Sequence, residues 1–67
     1  MEFKIKVPQN ASGFYLTAEY HPYCVWLHMD GKSPLPIGNK IYPYRHDEVE
    51  IKGVEGEHLI LSIKQIQ

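Results

Sequence analysis

Apolar side chains recur at every second position along most of this chain, and almost nowhere at the three-to-four-residue spacing of a helix. No other feature constrains the fold as tightly. In EFKIKV, Phe3, Ile5 and Val7 fall on one side of an extended backbone while Glu2, Lys4 and Lys6 fall on the other. That is the pattern of a half-buried strand. Pro8 and the turn-forming QNASG end it, and the prolines and glycines spread through the rest leave no room for a confident helix.

The same alternation organises residues 14–30, FYLTAEYHPYCVWLHMD. If Tyr20 and Tyr23 face each other across a tight connection through His21-Pro22, antiparallel pairing sets Phe14 opposite Met29, Leu16 opposite Leu27 and Ala18 opposite Val25. One register thus places every aliphatic side chain of the stretch on one face. Its other face carries the pairs Tyr15–His28, Thr17–Trp26 and Glu19–Cys24. Pro22 at the second central position calls for a cis bond or a wider loop, and a register shifted by two would keep the same residues on each face.

Residues 30–40 are bounded by Asp30-Gly31 and Gly38-Asn39 and contain two prolines, which predicts one long loop. KIYPY, residues 40–44, reads as a short edge strand, because Pro43 cannot donate to a central ladder. After it, Val49 and Ile51 alternate with Glu48, Glu50 and Lys52. A three-residue loop at Val54-Glu55-Gly56 would close the last hairpin with Ile51 opposite Leu59 and Val49 opposite Leu61. It would put Glu50–Ile60 and Lys52–His58 outside and leave Gly56 where a left-handed backbone is wanted.

The expected fold is therefore all-β, a small antiparallel barrel or two-layer sandwich of five to six short strands forming a single domain over residues 1–67. Phe3, Ile5, Val7, Phe14, Leu16, Ala18, Val25, Leu27, Ile41, Val49, Ile51, Leu59, Leu61 and Ile63 are its expected core. A domain this small buries only about 60% of its unfolded surface. With Cys24 as the lone cysteine, no intramolecular disulfide can help, so stability rests on a compact core or a partner chain. The unpaired cysteine, the lack of a basic leader followed by an apolar stretch, and apolar runs as short as Leu59-Ile60-Leu61, far too short to span a bilayer, predict a soluble, cytoplasmic protein that does not enter membranes.

Seven basic against eight acidic residues give a formal charge of −1. That supplies no broad attraction to a phosphate backbone, so nucleic acid is not an expected partner. GFYL and CVWLH are similar in character to the aromatic strands of cold-shock domains over about ten residues, but the glycine between the aromatics, the basic strand residues and the family's loop pattern are missing. No family is assigned on that basis.

His21, His28, His46 and His58 show no metal-ligand spacing, so neither a metal nor a cofactor is expected. Ser12, Ser33 and Ser62 lie in no nucleophile elbow, Cys24 is not directly opposite His28, and Glu48 and Glu50 point to one solvated face. The chain is accordingly expected not to be an enzyme.

What stands out is the second face of the 14–30 hairpin, where Tyr15, Trp26 and His28 surround Thr17. Exposed aromatic clusters are typical of contact surfaces. Unless the 30–46 segment with Tyr42 and Tyr44 covers them, these four residues are the expected partner-binding site. The chain then reads as a small binding protein, a homo-oligomer that binds and inhibits or bridges a larger protein, through this face or by strand addition along an edge such as 40–44. In the alternative, Lys40, Tyr42, Tyr44 and Arg45 line a pocket for a small anionic, nucleotide-like ligand, with rings stacking and cations holding the anion.

Overall fold

The computed structural model describes residues 1–64 and shows two three-stranded antiparallel sheets in a sandwich-like arrangement, without barrel closure among those residues. Strands β1 (Glu2–Lys6), β5 (Val49–Glu55) and β6 (His58–Ile63) form one sheet in the order β1-β6-β5. The other, ordered β2-β3-β4, contains β2 (Tyr15–Tyr20), β3 (Tyr23–His28) and the two-residue β4 (Leu35–Pro36). The molecule is only 16 Å through its thin direction, as two packed layers require.

The alternation places the core. Ile5, Val7, Val25, Leu27, Ile41, Val49, Leu59 and Leu61 are buried in one cluster, with Phe3, Phe14, Leu16, Ile51 and Ile63 packed half-buried against it. Three buried residues lie outside the expected set: Met29, Ile37 and Ile60. Met29 follows β3 on the predicted inner face. Ile60 is on the other face of β6, where it lies opposite Lys4 and Gly53 in the ladders on its two sides.

The β2–β3 register is the one that follows from setting Tyr20 opposite Tyr23, from Tyr15–His28 through Leu16–Leu27, Thr17–Trp26 and Ala18–Val25 to Tyr20–Tyr23. The His21–Pro22 bond is cis. Phe14 and Met29 fall just beyond the ends of the ladder.

Three expectations are corrected. The 30–40 segment is not one long loop, because Leu35 and Pro36 pair with Leu27 and Trp26 as β4. Ile37 N donates to Val25 O at 2.8 Å, which turns the backbone of Val25 toward β4 and that of Trp26 away from it. Pro36 opposite Trp26 therefore sits where no N–H is needed.

Nor is 40–44 an edge strand. A one-turn helix, α1 (Gly38–Ile41), stands there instead, with Ile41 N donating to Ile37 O and Tyr42 N to Gly38 O. Ile37 and Ile41 are one turn apart and both buried, so burying two isoleucines on one side of a turn prevails over the strand pattern. A single turn is too short to show a helical period in sequence. Pro43, with a cis bond to Tyr42, follows directly.

The final hairpin is closed by Gly56-Glu57, with Glu55 opposite His58, Val54 opposite Leu59 and Gly53 opposite Ile60. A bulge between Ile51 and Gly53 then shifts the register, so Ile51 meets Leu61 and Val49 meets Ile63 instead of the expected Leu59 and Leu61. The extra residue lets the hairpin keep a tight turn and still hold Val49 and Ile51 on the core side. Gly53 and Gly56, at φ 145° and 64°, supply the two conformations that side chains resist.

Leu27 and Leu61 are fully buried in the central strands of the two sheets. Leu27→Ala or Leu61→Ala should each cost about 2–5 kcal/mol, a large fraction of what so small a domain possesses. Urea denaturation read by Trp26 fluorescence should show a collapse of the midpoint, whereas the exposed Val54→Ala should shift it little.

Candidate functional site

The hairpin that builds the core also determines what lies at its end. Along the inner face of β2 and β3 the small and aliphatic pairs give way at the turn to Tyr20–Tyr23, whose rings lie 5.3 Å apart and 51° inclined. There the core opens. Tyr20 and Tyr23 form one wall of an open cleft of about 900 Å³, and the segment after α1 supplies the other with Tyr42, Pro43, Tyr44 and Arg45. Cys24, Pro36, Gly38 and Asn39 complete the lining.

The second wall is anchored from both sides. Tyr44 N donates to Ile41 O at 2.9 Å, and the Tyr44 ring packs on Phe3 with centroids 6.2 Å apart. His46 N donates to the Tyr23 hydroxyl at 3.1 Å, while its ring meets Tyr20 edge-on. Residues His46–Glu48 form a single 3-10 turn in which Glu48 N donates to Arg45 O and Arg45 N donates to Glu48 Oε2. The turn fixes where Arg45 leaves the backbone. Its contact with the Tyr20 hydroxyl and then the Asp47 carboxylate, 4.0 Å away, hold the guanidinium more firmly protonated than usual. Both members of the Arg45–Asp47 pair are exposed and the distance is long, so Arg45 remains available to an incoming anion.

Tyr42 is 82% exposed, far more than a tyrosine with only a packing role. The cleft thus presents ring faces, an exposed cation and one amide, a set suited to holding a flat or extended apolar group beside a negative charge.

Comparison of the chain with protein-family models, curated proteins and solved structures finds no significant match. Among the described residues no group of His, Cys, Asp and Glu is placed to hold a metal, and no helix is long and apolar enough to cross a membrane.

Of the residues expected to line a ligand pocket, Tyr42, Tyr44 and Arg45 come together here. Lys40 is exposed in the last turn of α1 and is not part of the lining. Tyr20, Tyr23, Cys24 and Asn39 join the site without having been anticipated for it. The signal was present for the first two, since a tyrosine pair at the end of an aliphatic stripe marks where a core meets water.

Tyr15, Thr17, Trp26 and His28 also come together, on the opposite face of β2 and β3. Tyr15 stacks on His28 at 4.5 Å and 5°, and Thr17 Oγ1 lies 2.7 Å from His28 Nε2. Tyr42 and Tyr44 do not cover this patch, being committed to the cleft. It carries a hollow of about 200 Å³ lined by Thr17, Glu19, Trp26, His28 and Pro34. Trp26 Nε1 is buried there with no hydrogen-bond partner among the described residues. Compared with the cleft this surface is shallow, and within it His28 alone is engaged, by its contacts to Tyr15 and Thr17.

Tyr23→Phe removes the acceptor for His46 N. The expected cost is about 1 kcal/mol. Amide hydrogen exchange should accelerate at His46 while the β2–β3 ladder stays protected, showing that one hydroxyl holds the cleft's second wall.

Proposed function

We propose that this chain is a small non-catalytic binding protein that grips an extended segment of a larger partner protein in the tyrosine-lined cleft and so inhibits or bridges that partner. The observation that carries the reading is the cleft itself, open to solvent and lined by four tyrosines together with Arg45. An open groove leaves one side of its occupant in water, which suits a peptide segment better than a small molecule that must be enveloped. Tyrosine supplies large contact area with few torsions to freeze, and aromatic grooves of this kind favour proline-containing extended chains.

Arg45 adds direction. An acidic side chain of the bound segment would meet the exposed Arg45 guanidinium in the lining of the cleft. The overall charge of −1 gives little long-range steering, so the selectivity is local. Tyr15, Thr17, Trp26 and His28 offer a second surface for protein contact, and the single free thiol fits a reducing, cytoplasmic setting.

A second reading is favoured by the cation beside the ring faces: a small anionic, nucleotide-like ligand stacked between tyrosines with its charge on Arg45. One titration separates the two. Short extended peptides containing proline and glutamate, and separately nucleoside monophosphates, are added to labelled protein and followed by NMR. Peptide-induced shifts at Tyr20, Tyr23 and Tyr42 are expected. Arg45→Ala should weaken peptide binding by about tenfold to a hundredfold, the worth of one charged hydrogen bond, while Lys40→Ala, outside the cleft, should change it little. Shifts with nucleotides alone would establish the second reading, and shifts with neither would remove the cleft as the binding site.

A further inference from the structure

Two open sheets have four edges, and three of them are blunted. On β1 the solvent face of EFKIK carries Glu2, Lys4 and Lys6. On β5 the bulge beside Gly53 breaks the line, and Glu50, Lys52 and Glu55 add charge. β4 has two residues, one of them Pro36. These are the devices by which natural proteins prevent sheet edges from pairing.

β2 is the least protected of the four, although the His46–Glu48 turn packs near its Tyr20 end. Its six residues, YLTAEY, contain no proline, no glycine and a single charge, and their register with β3 is unbroken. Its free backbone groups can be identified. Val25 accepts from Ile37, so its N–H and C=O point to β4, and in an antiparallel ladder Ala18 opposite it must point away from β3. Leu16 and Tyr20, two residues to either side, point the same way. Among the described residues, no hydrogen bond outside the ladder reaches them.

We infer that β2 pairs antiparallel with β2 of a second copy of this chain about a two-fold axis at Ala18. In that register Ala18 meets Ala18, and Leu16 of each copy meets Tyr20 of the other. Every outward-facing residue of the strand then finds a backbone partner. Shifting the axis to Thr17 leaves Tyr20 unpaired, so the Ala18 register uses the edge most fully. Alanine at the axis leaves the close approach unobstructed, and on the outer face Thr17 lies opposite the Glu19 carboxylate of the other copy. The two β2-β3-β4 sheets become one continuous sheet with an isologous junction. Because Tyr20 lines the cleft, Leu16 of the second copy adds an apolar side chain beside that wall. The inference stands independently of what the cleft holds.

Sedimentation equilibrium over a dilution series tests it. Wild type should pass from two chains to one, and Ala18→Pro should weaken association at least about tenfold, since it removes the outward N–H of both copies and puts a ring at the axis. Because that N–H is not used by β3, Ala18→Pro should keep the wild-type circular dichroism spectrum. Should it fail to fold, Ala18→Cys in a Cys24→Ser background decides: mild oxidation should give a disulfide-linked dimer. A wild type monomeric at every concentration, a folded Ala18→Pro that still dimerises, or the absence of that cross-link would overturn the proposal. A dimer lost in Trp26→Ala but kept in Ala18→Pro would place the interface on the outer aromatic face and overturn it equally.

Discussion

The burial of one aliphatic stripe from each central strand, Val25 and Leu27 of β3 against Leu59 and Leu61 of β6, is the contact on which the rest of this structure depends. All four side chains are fully buried, and no disulfide shares their task. Hydrophobic burial of this kind is worth roughly 1.5–3 kcal/mol per side chain, so a few residues carry much of the stability of the domain. Every other element adjusts to protect that contact. The bulge at Gly53 realigns Val49 and Ile51 with the stripe, and α1 forms because it lets Ile37 and Ile41 cap one end of it.

The cleft follows from the same constraint. A core built from a hairpin must end where the hairpin turns, and at that end the chain carries Tyr20 and Tyr23 in place of aliphatic residues. Tyrosine can border the core with its ring and face water with its hydroxyl, so the opening is stable without being closed. The Tyr23 hydroxyl then holds His46, and with it the segment that brings Arg45 and Tyr44 across. Folding and site formation are thus coupled through one side chain.

The outer face of β2 and β3 shows what side-chain placement alone does not reveal. Tyr15, Thr17, Trp26 and His28 lie together as the alternation requires, yet the stacking of Tyr15 on His28 and the Thr17–His28 hydrogen bond already engage His28 within the patch. Pairing rules could assemble those residues in sequence because cross-strand neighbours are determined by register. They could not assemble the cleft, whose walls come from β2–β3 and from residues 42–45, segments with no shared ladder.

The period-two pattern by itself determined the all-β class and the inner face of each long strand, because a one-residue slip would turn the buried side chains outward. A shift by two keeps the same faces, so the β2–β3 register depended also on the turn that sets Tyr20 opposite Tyr23. The sequence equally determined Gly56 as a turn position. Only the tertiary structure decided that 38–41 is helical, that Leu35–Pro36 pairs with β3 and that the last hairpin carries a bulge. Each of these is a short irregularity whose local preference is weak, so the deciding energy comes from side chains distant in sequence, Ile37 and Ile41 in the core and Val49 and Ile51 against β6. The tyrosine cleft belongs with them, since it exists only where those irregular segments dock on the end of a regular hairpin.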